Sequence, residues 1–160
     1  MGNQALIYKE KFEKNLKEAA IHLQRINEAF EELSINYSFP IETEDFLKIL
    51  VNRNELAFAD QIIYRFSKTQ DSMGAKLFKS FVQYQGENIN RPFLDILNSL
   101  EKLDILDVEK WFELREIRNE IAHDYEENEL LAKTILNNIY RYKEELNTIL
   151  NMLEQQINNT

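Results

Sequence analysis

A chain of 160 residues with three Gly, two Pro and no Cys has too few turn-forming residues to punctuate the short strands of a sandwich or barrel. The missing thiols exclude a disulfide frame, a Cys nucleophile and a thiolate metal site. A formal charge of −9, from 19 Lys+Arg against 28 Asp+Glu, excludes the broad basic footprint of an extended nucleic-acid binder and leaves room only for a local phosphate site.

Residues 1–10 lack the apolar core of a signal peptide, and Leu6 stands where an N-myristoylation signal needs Ser or Thr. No run of about 18 apolar residues marks a membrane span, so a cytoplasmic protein without membrane contact is expected. From Leu6 onward, Phe12, Leu16, Ala19, Leu23, Ile26, Phe30 and Leu33 recur at three- and four-residue steps, the period of an amphipathic helix that ends in residues 36–40. Thr43, followed by Glu44 and Asp45, reads as an N-cap with acids in the first turn. It opens a short helix on Phe46, Leu47, Leu50 and Val51, which Asn52, Arg53 and Asn54 interrupt.

Residues 55–84 trace one long helix on Leu56, Ala59, Ile62, Ile63, Phe66, Met73, Leu77, Phe78, Phe81 and Val82, with a wholly polar centre at 67–72. Gln85 and Gly86 read as its C-terminal cap, and Asn90 with Pro92 as the next start, burying Phe93, Ile96, Leu97 and Leu100. Asp107 caps a helix carrying Trp111, Leu114, Ile117 and Ile121. The last helix spans about 127–157 on Leu131, Ile135, Ile139, Tyr142, Leu146, Ile149 and Leu153. The sum is an all-α bundle of five to six helices in one domain, 1–160. The length of the last helix and the surplus of apolar positions point to a dimer; the alternative is a monomer in which the other helices wrap the long one.

The chemistry available is limited. His22, beside Leu23, reads as an ordinary, partly packed histidine, and no Gly-rich phosphate loop, His-x-x-x-His pair or acidic loop offers a metal or cofactor site. The segment 114–125 stands out. Trp111, Leu114, Ile117 and Ile121 must face the core, which puts Arg118 and Ala122 at the border of the buried face. Asn119 and His123, four apart, share a face, so Asn119 can orient the imidazole. Arg118 and His123 diverge by about 140° on an ideal helix, so their cooperation needs a helix end near His123 or a second chain. An Arg that clamps phosphate and a His that moves protons near neutral pH suit metal-free phosphodiester transesterification in RNA. The alternative is structural: Arg118 pairs with Glu120 or Asp124, His123 caps the helix end and Tyr125 packs.

Arg118-Asn119-x-x-Ala122-His123-x-Tyr125 resembles the R-N-x-x-x-H-x-Y signature of HEPN domains of the HepT branch, the toxin half of type VII HepT–MntA toxin–antitoxin systems. Tyr64-Arg65-Phe66, Gln70 to Gly74 and Lys76-Leu77-Phe78 are similar to the family's second-helix segment, and Leu97, Leu100, Leu103, Ile105, Leu106 and Trp111 to the approach to its motif. The resemblance covers most of 54–142. It implies an up-and-down helical bundle, HEPN-like and similar to nucleotidyltransferase substrate-binding subunits, that forms a homodimer or a higher oligomer with both motifs in one cleft. It also implies a metal-independent endoribonuclease acting on RNA, with His123 in proton transfer, Arg118 on the phosphate and Asn119 in support. The implied partner is an MntA-like nucleotidyltransferase antitoxin that places AMP on Tyr125, where a bulky anion blocks phosphate entry. The same family resemblance also fits a non-catalytic nucleotide- or substrate-binding subunit of a nucleotidyltransferase. Arg65 and Asp71, six apart, either border this cleft or form a solvated face or an internal ion pair.

Overall fold

In the computed structural model, residues 2–124 and 128–158 are described, those of 123, 124 and 129 by backbone only. The described residues form α1 (Gly2–Leu33), α2 (Thr43–Leu50), α3 (Arg53–Ser72), a π turn (Met73–Leu77), α4 (Phe78–Tyr84), α5 (Phe93–Lys102), α6 (Val108–Asp124) and α7 (Glu129–Asn158). The π turn joins α3 and α4 into one continuous rod, so six helical rods match the expected number.

Cross-helix pairs fix the directions. Asn15 meets Ser80, His22 meets Arg65, and Asn36 meets Glu55, so α1 runs antiparallel to the α3–α4 rod. Asp71 meets Arg118 while Phe78 packs on Trp111 with ring centroids 4.7 Å apart, so α6 runs antiparallel to the same rod. Lys110 reaches Glu145 at 3.2 Å across the α6–α7 hairpin. The four long rods therefore go up, down, up and down, with α2 lying against α3 and α7, and α5 against α4 and α6.

The stripes read from periodicity are largely the buried ones. All seven expected α1 positions from Phe12 to Leu33 are inside, as are Ile62, Ile63, Phe66, Phe78 and Phe81 of the rod and Leu146, Ile149 and Leu153 of α7. Fully burying each of the Leu, Ile and Phe side chains among them is worth about 1.5–3 kcal/mol. Some positions differ. Leu6 is exposed, and in α2 the core residues are Phe46 and Ile49, one i,i+3 stripe, while Leu47 lies about 100° away and, like Val51 at the helix end, faces solvent. Phe93 is exposed at the start of α5.

The ends of the helices also refine the reading. Asn52 does not merely interrupt: its Oδ1 accepts from the backbone N–H groups of Asn54 and Glu55, both at 3.1 Å, and so starts α3. Thr43 is the first residue of α2, not its cap; Glu42 holds the cap position, and the Thr43 hydroxyl accepts from Lys133. Pro92, not Asn90, precedes α5. The caps at Asp107 and Gly86 stand as expected. Asp107 Oδ1 accepts from Glu109 and Lys110, and Gly86 takes a φ of +85° with the N–H of Glu87 on the Val82 carbonyl, the six-to-one bond of a Schellman end.

The long rod is not uniform. Within the 67–72 segment, expected to be a polar centre, Thr69, Gln70 and Ser72 are buried. Directly after it the Phe78 N–H bonds to the Met73 carbonyl, five residues back, and the wider turn rotates everything that follows. From α1, Asn15 Nδ2 donates to Ser80 Oγ at 3.2 Å and lies 3.5 Å from the Lys76 carbonyl inside that turn.

Loss of the α3 cap is the sharpest local test. Asn52→Ala should lower unfolding stability by about 1 kcal/mol in urea titrations, while Asn54→Ala, which removes only an exposed side chain, should change it by less than half as much.

Candidate functional site

The site begins with the pairing of α3 and α6. Ile117 and Leu114 are buried, and Arg118, the next residue round the helix, lies at the edge of the interface with its side chain 25% exposed. There it meets Asp71, the last acidic residue of α3. Arg118 Nε donates to Asp71 Oδ1 and Nη2 to Oδ2, both at 3.1 Å, a two-pronged guanidinium–carboxylate fork. Arg115, one turn earlier, approaches the same Oδ1 with Nη1 at 3.5 Å. Two guanidinium groups thus share one carboxylate, and the trio carries a net charge of +1 on a strongly acidic chain.

A guanidinium carries five N–H donors, and the fork engages two of Arg118's. Asp71 therefore fixes the orientation of the group along one edge without neutralising the trio. Arg118 is an interface residue, as its border position predicts. Its carboxylate comes from another helix rather than from within α6. Asn119 is exposed on the same helix. The backbone of His123 belongs to the last turn of α6, whose end at Asp124 agrees with the expected helix end. The His123 side chain, and Tyr125 altogether, lie outside the described residues.

Arg65 and Asp71 do not act together. Arg65 turns instead toward α1, where its Nη1 donates to His22 Nδ1 at 2.9 Å. This makes His22 an acceptor and therefore neutral, a partly packed residue as anticipated. Burial, and then the positive charge of Arg65, hold its pKa below the usual 6.5.

Beside the Asp71 trio lies a cavity of about 410 Å³ between the π turn, the start of α5 and α6, within the size range of ligand sites. Its walls include Gln70, Gly74, Phe93, Trp111 and Phe112, and Arg115 stands in the same wall. A Cβ at Gly74 would lie 3.5 Å from Trp111 Cζ2 and 3.7 Å from Phe93 Cζ, in ordinary contact, so alanine fits there while a longer side chain would enter the cavity. Gln70 is 0% exposed, and neither its Oε1 nor its Nε2 has a hydrogen-bond partner among the described residues. An orphaned buried polar group costs about 1–3 kcal/mol. The indole N–H of Trp111, 1% exposed, is likewise without a partner. Gln70, Arg115 and Gly74 were not singled out for a site in the sequence. The available signals were a polar hexamer in an otherwise apolar-striped helix and a glycine in the middle of that helix.

A larger groove, about 770 Å³, runs between α1 and α7, but Glu13, Glu28, Glu31 and Glu154 line it against one Lys, Lys17. Its charge is unsuited to phosphate. Among the described residues no helix is long and apolar enough to cross a membrane.

The described residues thus form an antiparallel helical bundle with an Arg–carboxylate fork on α6 and an R-N-x-x-x-H sequence running to the end of that helix. The chain belongs to the family described as nucleotidyltransferase substrate binding protein like, whose family model matches residues 11–155. No curated protein and no solved structure is significantly similar.

Two measurements test this geometry. Asp71→Asn should destabilise the protein by about 1 kcal/mol and by more than Arg118→Gln, because the first leaves two guanidinium groups facing one another and the second leaves Asp71 with Arg115. Equal losses would contradict the shared carboxylate. His22 provides a pH test. Its folded pKa lies below the unfolded value, so the neutral form contributes stability that is present above about 6.5 and is lost as pH falls through the folded pKa. Between pH 7 and 5 the melting temperature should fall further for the native chain than for His22→Gln; parallel curves would contradict it.

Proposed function

We propose that the chain is the toxin of a HepT–MntA-like pair, a metal-independent endoribonuclease that acts as a homodimer and partners a nucleotidyltransferase. The observation that carries this reading is the fork itself. Asp71 holds the Arg118 guanidinium half-buried and oriented at the edge of α6, five residues before His123 on the same helix. A preorganised guanidinium is the group that a developing dianionic phosphorane needs, since it stabilises charge without reorganising during the reaction.

The reaction follows from these residues. One His123 accepts the proton of the ribose 2′-hydroxyl, and the 2′-oxygen attacks the adjacent phosphorus. The bond to the 5′-oxygen breaks, and that oxygen takes a proton, supplied by the second His123 of the dimer. The products are a 2′,3′-cyclic phosphate and a free 5′-hydroxyl. Arg118 binds the non-bridging oxygens, and Asn119 orients the imidazole. The angular separation of Arg118 and His123 on one helix is the reason for the dimer: each half-site draws the complementary group from the other chain. Adenylylation of Tyr125 by the partner enzyme adds a bulky anion two residues from His123 in the motif and blocks phosphate entry by volume and by like charge.

One observation favours a second reading, in which the chain is a non-catalytic subunit that binds nucleotide for the nucleotidyltransferase. Asp71 already occupies one edge of Arg118, as suits a site tuned to hold a phosphate reversibly on a chain of charge −9.

The test is cleavage of a defined RNA in EDTA with the product ends identified. The toxin reading predicts cyclic phosphate termini, a fall of at least 100-fold in His123→Ala, in line with the roughly 10²–10⁴-fold contribution of general acid–base groups, and loss of activity when Tyr125 carries AMP. Undiminished cleavage by His123→Ala contradicts it, and absence of cleavage together with tight nucleotide binding establishes the second reading.

A further inference from the structure

We infer that the cavity between the π turn, α5 and α6 is a nucleobase pocket, read by the Gln70 side-chain amide and walled by Trp111, Phe93 and Phe112. The inference rests on the preceding reading only for the phosphate at Arg118; the pocket itself is argued from its walls. Gln70 presents a donor and an acceptor side by side, fully buried and both without partners among the described residues, in the wall of a cavity whose other walls are three aromatic rings, Gly74, Ala75 and the charged Asp71, Lys79 and Arg115. Buried polar side-chain atoms in folded chains nearly always have a hydrogen-bond partner, so such a pair points to a group outside the chain that completes it. The complement is a flat edge with an adjacent acceptor and donor, the pattern a side-chain amide forms with a base in two parallel hydrogen bonds.

The rest of the cavity has the matching chemistry. Aromatic walls take the faces of a planar heterocycle, and base–aromatic stacking tolerates any base. The ring edge of Trp111 that faces Gly74 includes Cζ2, next but one to the indole nitrogen, so a further unpartnered donor belongs to the same wall. Glycine at position 74 keeps this space open. The π turn that follows Gln70 and Asp71 sets their faces apart from those of α4; such turns recur at functional sites. Arg115 lines the cavity and touches Asp71, which forks Arg118, so a base seated here has its phosphate within the cationic trio. The ligand class is a nucleotide unit, free or within an RNA strand, rather than an anion alone.

Trp111 is the only Trp, so its fluorescence reports occupancy directly. The full-length protein is titrated with AMP, GMP, CMP and UMP, with ribose 5-phosphate, and with a short all-deoxy oligonucleotide that cannot be cleaved. At least one nucleotide should change the emission and bind at least 10-fold more tightly than ribose 5-phosphate. Binding of the mononucleotide identifies a free nucleotide as the ligand, and binding of the oligomer alone identifies a base within a strand.

Gln70→Leu should weaken that binding at least 10-fold while leaving the melting temperature unchanged or raised, because it removes an orphaned amide without changing volume much. Gly74→Leu, which fills the cavity, should abolish it, and Gly74→Ala should retain it. Circular dichroism establishes that each variant is folded, and Gly74→Leu decides if Gln70→Leu is not. Equal affinity for ribose 5-phosphate and nucleotides, or unchanged nucleotide binding in both Gln70→Leu and Gly74→Leu, overturns the pocket. Undiminished RNA cleavage in His123→Ala with nucleotide binding intact overturns the catalytic reading alone, so the two fail separately.

Discussion

The carboxylate of Asp71 is the point on which the site depends. It ends the regular part of α3, it receives two prongs from Arg118 and a third contact from Arg115, and it stands where the backbone changes from an α-helix to a π turn. An isolated ion pair at this level of exposure contributes little to stability. Its value lies in orientation, since a guanidinium gripped along Nε and Nη2 has lost most of its rotamer freedom before any ligand arrives. The extra positive charge of the trio then offers a phosphate a local field of the right sign on a chain whose surface is otherwise acidic.

Much of this was legible in the sequence, and the parts that were not have physical reasons. The long helices announced themselves because a buried stripe has to recur every 3.6 residues, and Phe12 to Leu33 do so without a gap. Asp107 and Gly86 were readable as caps because their roles depend on the residue's own chemistry. Asn52 does lie in the interruption between α2 and α3, but its capping role was missed, because a break and an N-cap look alike until its side chain is seen to accept from the N–H groups of Asn54 and Glu55. The polar centre of the long helix was the hardest passage. A run of polar residues usually faces solvent; here Thr69, Gln70 and Ser72 turn inward, and their burial depends on the partner helix, which local sequence does not encode.

The motif itself shows the same division. Arg118 could be placed at the border of the buried face from helical geometry alone, and it is there. Its partner could not, because Asp71 lies 47 residues away and meets it only after α3 and α6 pack antiparallel. The family match covers residues 11–155 and so bears on the helical bundle as a whole, whereas the role of each side chain rests on the local geometry.

The acidic composition acquires a specific meaning in this light. A net charge of −9 is poor for holding a nucleic acid along the length of the chain, and the local exception is one small constellation: a fork that presents a guanidinium, beside a cavity whose Gln70 amide has no partner among the described residues. The most direct test is a crystal structure of the protein with a non-cleavable 2′-deoxy dinucleotide. The account predicts a phosphate at hydrogen-bond distance from Arg118 with one base beside Gln70 and Trp111; a dinucleotide seated instead in the α1–α7 groove, with the cavity closed, would contradict it.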